Sequence, residues 1–144
     1  GVVQKYLNKI SGPLLDRIDI HIEVTPVNFE ELNAKSSSES SEKVRERVIE
    51  ARKLQEARFA NNKEIHCNAQ MGTRQLREVC RINTQGTELL KTAMDRLGLS
   101  ARAYDRILKV ARTIADLDNS SNIETNHLAE AIQYRSLDRE SWAG

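Results

Sequence analysis

Helix breakers are scarce in this chain. Six glycines and two prolines are spread over 144 residues, about half the usual share of roughly 12%. With 30% charged and 4% aromatic residues, long stretches are free to wind as helices with one wet face. The hydrophobic share of 39% is enough for a packed core. The length suits one domain, or one domain with an appendage. The expected fold class is mainly α: a helical bundle with a short N-terminal helix and one β-strand left without a partner.

Local signals place the elements. Residues 2–10 read as a short helix ending near Gly12-Pro13, because proline disfavours helix in the residue before it. Residues 18–24 alternate, with Ile18, Ile20, Ile22 and Val24 on one side and Asp19, His21 and Glu23 on the other. That is the period of a half-buried strand. A lone strand needs ladder partners for its backbone groups, so these lie in another chain or the sequence is cut from a longer protein. The serines of 36–41 read as a linker. Ser41 caps a helix to about Phe59, with Val44, Val48, Ala51 and Leu54 inward. Residues 60–72 read as a loop. Thr73 caps a short helix through Cys80, and Asn83 or Thr84 opens another with Leu89, Leu90, Ala93, Met94 and Leu97 inward. Gly98 stands where a helix C-terminus favours a left-handed residue. Ser100 caps the longest helix, to about Leu117, and Thr125 starts a last one through Arg135.

Several function classes fall away. No apolar run approaches the ~18 residues of a membrane span, and the N-terminus lacks the basic-then-apolar shape of a signal peptide. Cys67 and Cys80 cannot build a disulfide framework and read as reduced thiols. The expectation is a cytoplasmic protein with no membrane partner. The sequence has no Gly-x-x-x-x-Gly-Lys-[Ser/Thr] and no Gly-x-Gly-x-x-Gly, so it carries no familiar phosphate loop. It has no His-Glu-x-x-His or paired Cys-x-x-Cys either, and no metal site is expected.

Charge is uneven. Residues 74–112 hold nine basic and four acidic side chains, whereas 1–69 are balanced at eleven of each. Such a block suggests a local anionic partner. Arg74, Arg77 and Arg81 could grip nucleic-acid phosphates or simply be solvated charges. Arg102, Arg106 and Lys109 share one face of the longest helix, opposite Ala103, Ile107, Val110, Ala111 and Ile114. Arg102 falls in the first turn, where the helix dipole offers a cation nothing. A docked anion would explain it, since free N–H groups and a guanidinium suit phosphate oxygens; a solvated basic face is the alternative. In Leu14-Leu15-Asp16-Arg17-Ile18-Asp19, Arg17 sits where a turn leads into the expected strand, and an ordinary surface pair with Asp16 is the alternative there.

That segment, Ser100-Ala101-Arg102-Ala103-Tyr104, Val110-Ala111-Arg112-Thr113-Ile114-Ala115-Asp116-Leu117 and the ending through Gln133-Tyr134-Arg135-Ser136-Leu137-Asp138-Arg139 together resemble the C-terminal part of the magnesium-chelatase-like AAA+ ATPases. The resemblance covers almost the whole chain apart from the serine-rich insert. It implies that residues 1–34 end an AAA+ nucleotide-binding core, 35–42 are a linker, 43–136 are the helical lid and 137–144 a tail. It implies that Arg17 is an arginine finger reaching the neighbouring subunit's ATP, and that Arg102 is the sensor 2 residue on the γ-phosphate; Arg106, one turn on along the same face, is a weaker candidate for a nucleotide contact. The phosphate loop and Mg²⁺ ligands would lie upstream, so ATP and Mg²⁺ belong to the full-length protein and none is expected on this chain alone. The implied partners are the upstream core, further copies in a hexameric ring, and DNA. One branch of the family moves DNA during natural transformation and another inserts Mg²⁺ into a porphyrin. The wording here favours the first. A stand-alone helical nucleic-acid-binding module is the competing class.

Overall fold

A computed structural model describes residues 12–22, 24, 26 and 39–135. The helix expected over 2–10, residues 35–38 of the linker and the tail lie outside the described residues. Among those described, the architecture is helical throughout. The first element among the described residues, α1 (Gly12–Leu15), is a single turn. Pro13 sits inside it, since proline is tolerated in a first turn, where its missing N–H would have had no partner.

Helix α2 (Ser41–Phe59) is capped by Ser40, one residue earlier than the sequence suggests. The Ser40 hydroxyl accepts the Lys43 N–H at 3.4 Å. Glu42 in the first turn and Arg58 in the last suit the helix dipole. The buried residues are Ala51, Gln55 and Phe59. Val44, Val48 and Leu54, expected inward, are exposed. Only the C-terminal half of α2 lies against the bundle, so an apolar stripe can continue past the point where anything covers it.

The loop after α2 holds a 3₁₀ turn at Asn68–Gln70. Helix α3 (Thr73–Val79) is capped at Gly72, not Thr73, and the Gln75 side chain accepts the Gly72 N–H at 3.2 Å. Helix α4 (Thr84–Leu97) starts at Asn83, whose side chain accepts the Gly86 N–H at 2.8 Å. It ends at Gly98 in the left-handed conformation, φ 57°. Helix α5 (Ala101–Leu117) is capped by Ser100. Helix α6 (Thr125–Gln133) is capped through His127, whose Nδ1 accepts the Glu124 N–H at 3.0 Å. That bond leaves the ring proton on Nε2, which donates to Asp118 Oδ2 at 3.1 Å.

Helix α5 is the spine, in contact with α2, α3, α6 and the 3₁₀ turn, while α4 packs on α6. Leu90, Ile107, Leu128, Leu76, Met71 and Phe59 join its alanines in one core. Small residues on α5, Ala103, Ala111 and Ala115, are wholly buried and let neighbouring helices approach closely. Burying each large aliphatic contributes roughly 1.5–3 kcal/mol.

The strand expected over 18–24 does not form among the described residues. Its segment lies across α5 and the end of α6. The His21 N–H donates to the Tyr134 carbonyl at 2.9 Å. Ile18, Ile20, Ile22 and Val24 stay 41–86% exposed. The alternating pattern is intact, but without neighbouring strands the backbone bonds to helix termini instead and the apolar side finds little cover.

Candidate functional site

The basic face of α5 is not uniform. Arg102 is exposed in the first turn, directly after the Ser100 cap. Among the described residues nothing pairs with it. One turn on, Arg106 is engaged: its Nη1 donates to Asp19 Oδ1 at 2.5 Å. The next turn's Lys109 donates from Nζ to the Ala69 carbonyl at 2.9 Å. Three cations that look equivalent in sequence therefore divide into one open guanidinium and two structural ties.

Arg17 is exposed at the turn after α1, and its N–H donates to the Leu14 carbonyl at 3.0 Å. Its side chain also has no partner among the described residues. The residues around it are held. Arg135, wholly buried, donates from Nη1 to the Ile18 carbonyl, and its Nη2 lies 3.9 Å from Asp16 Oδ1. Arg17 and Arg102 are both exposed, and neither side chain has a partner among the described residues. Arg74, Arg77 and Arg81 do not join them. Arg74 pairs with Glu78 at 3.1 Å along α3, and Arg77 and Arg81 point into solvent.

Comparisons with known proteins place the chain in a family. The profile of the family described as "Magnesium chelatase, subunit ChlI C-terminal" matches residues 38–135, and that of "Magnesium chelatase, subunit ChlI" matches residues 2–32. The chain belongs to the magnesium chelatase family. Among curated relatives it is 41% identical over 138 residues to the competence protein ComM of Haemophilus influenzae, covering 95% of this chain and 26% of that protein. It is 42% identical over 137 residues to YifB of Escherichia coli K12, covering 94% and 26%. The Salmonella typhimurium YifB is 39% identical over the same shares. The chain spans about a quarter of the length of these relatives.

This magnesium-chelatase-family chain also holds a buried ionic cluster that charge counting did not single out. Asp116, with no side-chain exposure, takes both arms of Arg58, at 2.5 and 2.8 Å. It also accepts from Arg112 Nε at 3.1 Å and from Asn68 Nδ2 at 2.8 Å. Arg112 further donates to the carbonyls of Ser120 and Ser121 at 2.6 and 2.9 Å. One carboxylate thereby ties α2, the 3₁₀ turn and the loop after α5 to α5 itself. The available signal was Arg112 and Asp116 four apart on the same stripe as Ala111 and Ala115. Charges on an apolar face are buried only when paired.

An apolar groove of about 340 Å³ runs beside the Asp19–Ile22 segment, walled by Ile20, Ile22, Val110, Ile114, Leu117 and Tyr134. Below α3, burial pushes the Cys80 thiol up to about 11, outweighing the pull of Arg112 and Arg58. Among the described residues no group of acidic, histidine or cysteine side chains is placed to hold a metal. No helix among them is long and apolar enough to cross a membrane.

Proposed function

We propose that this chain is the C-terminal part of an oligomeric, ATP-dependent AAA+ motor of the cytoplasm that acts on DNA in natural transformation or recombination. In this proposal residues 43–136 are the lid, Arg102 reads the γ-phosphate of ATP held by its own subunit, and Arg17 reaches the ATP of the neighbour in a hexameric ring. The observation that carries it is the state of Arg102: an exposed guanidinium at the positive end of α5 with no partner among the described residues, beside two cations that are tied down. A cation in that position gains from an anion and from little else. The residues present fit a phosphate oxygen. They do not fit Mg²⁺, whose ligands in this proposal belong to the upstream core. Phosphoryl transfer is mostly positioning and charge stabilisation, so two arginines brought to the terminal phosphate are a sufficient contribution from this part of the protein. The direction toward DNA rests on likeness to a protein named for competence. Membership of a family described by a magnesium chelatase subunit favours metal chelation as the second possibility.

Mixed oligomers of the full-length protein test the assignment. Arg102→Ala lowers ATP turnover by roughly 10²–10³-fold and Arg17→Ala by roughly 10³–10⁵-fold. Arg17→Ala subunits mixed with subunits lacking the phosphate-loop lysine recover activity, because an intact finger can face an intact phosphate site. Arg102→Ala subunits in the same mixture do not recover, because every site then lacks either the lysine or the sensor. Equal behaviour of the two mixtures refutes the trans role of Arg17.

A further inference from the structure

The segment that carries Arg17 is seated by polar contacts, not by apolar packing. Ile18, Ile20 and Ile22 are 41%, 45% and 68% exposed, so burial holds it only weakly. In place of packing, Arg106 donates to Asp19, the His21 N–H donates to the Tyr134 carbonyl, and Arg135 donates to the Ile18 carbonyl while facing Asp16. The bonded positions 16, 18, 19 and 21 bracket Arg17, whose own side chain is left out. A wholly buried guanidinium is rare unless it is paired, and Arg135 directs donors to this segment's carbonyl and carboxylate. Arg106 stands one helical turn beyond Arg102 on α5, so a movement of that turn is passed to Asp19 two residues after Arg17.

We propose that Arg106 and Arg135 are positioning residues for Arg17, clamping its segment to α5 and the end of α6 so that Arg102 and Arg17 move as one unit. The coupling rests on the assignment above of these two arginines to two different ATP sites. Given that assignment, the clamp ties the phosphate met by Arg102 in one subunit to the finger offered to the next. Arg106 then acts through Asp19 and is not itself a nucleotide contact.

A single half-exposed ion pair contributes little to stability, so charge exchange separates positioning from folding. In this chain, hydrogen exchange of the His21 amide reports the clamp directly. It is protected at least tenfold in the wild type, loses protection in Asp19→Arg, and regains it in Asp19→Arg/Arg106→Asp, with melting temperatures within about 2 °C. In the full-length oligomer the single Asp19→Arg lowers kcat at least tenfold with KM for ATP within twofold, as expected for loss of an interaction made in the transition state, and the double exchange restores kcat to within threefold. A wild-type His21 amide exchanging at the unstructured rate overturns the clamp. A double variant that regains the amide protection but not kcat overturns the positioning role. If Arg17→Ala leaves turnover intact, the finger assignment and the coupling fall together, while the protected amide still upholds the clamp itself.

Discussion

Replacing Asp116 by asparagine tests whether the buried ionic cluster holds the bundle together. The substitution keeps the side chain's size and removes its charge. Both Asp116 oxygens are in use, Oδ1 by Arg58 and Arg112 and Oδ2 by Arg58 and Asn68. An asparagine has one acceptor, so whichever way it turns, its NH₂ faces at least one N–H donor. Two guanidinium groups, Arg58 at 20% and Arg112 at 3% side-chain exposure, then lie close together without an anion between them. Removing one partner of a buried pair costs about 3–5 kcal/mol, against a total stability of roughly 5–15 kcal/mol for a domain. At about 4 °C per kcal/mol for a unit of this size, the melting temperature falls by roughly 12–20 °C. Thermal and urea unfolding followed by far-ultraviolet circular dichroism measure it, with Arg58→Met and the double variant completing the cycle. Contacting residues in one network couple by roughly 0.5–3 kcal/mol. A melting temperature within about 3 °C of wild type, or single effects that add without coupling, refutes a role for the cluster in joining α2 to α5.

Other outcomes follow from single sites. Gly86→Ala places a Cβ 2.7 Å from Leu128 Cδ1, and because Leu128 is wholly buried the overpacking costs about 1–3 kcal/mol in urea unfolding; a stabilised variant would contradict the close approach of α4 and α6. Ellman's reagent at pH 8 modifies Cys67 and spares buried Cys80 until the protein unfolds. Because the Cys80 thiol is raised in the folded state, the unfolded chain releases its proton first, so stability is lost as pH climbs from 9.0 toward about 11; a Cys80→Ala variant should lose that part of the alkaline slope. The 144-residue chain alone should not hydrolyse Mg²⁺-ATP above background, since its sequence has no phosphate loop; turnover abolished by Arg102→Ala would overturn the proposed division between core and lid.

Much of the helical order is written in short-range signals. Ser100 before Ala101, Asn83 before Thr84 and Gly98 after Leu97 each act within three or four residues, through a side-chain cap or a left-handed backbone. Such signals need no distant partner, and the helices around them stand where the sequence places them. The spacing of Ala103, Ile107 and Ala111 fixes the core side of α5 in the same way. Family membership was also legible, because ordered motifs survive in linear sequence.

Tertiary structure decided which patterns found a partner. Val44 and Val48 have the spacing of a core face, yet the bundle reaches only Ala51, Gln55 and Phe59. Ile18 to Val24 alternate like a strand, yet among the described residues no ladder meets them and the end of the last helix takes backbone bonds of this segment. Arg102, Arg106 and Lys109 are alike by periodicity, and only the fold brings Asp19 across 87 residues to one and the Ala69 carbonyl across 40 to another. The same holds for Arg58 and Asp116, 58 residues apart. Local sequence sets which groups a helix presents, because backbone geometry repeats every few residues. It does not set which of them is neutralised, because that depends on a carboxylate or carbonyl delivered from elsewhere in the chain.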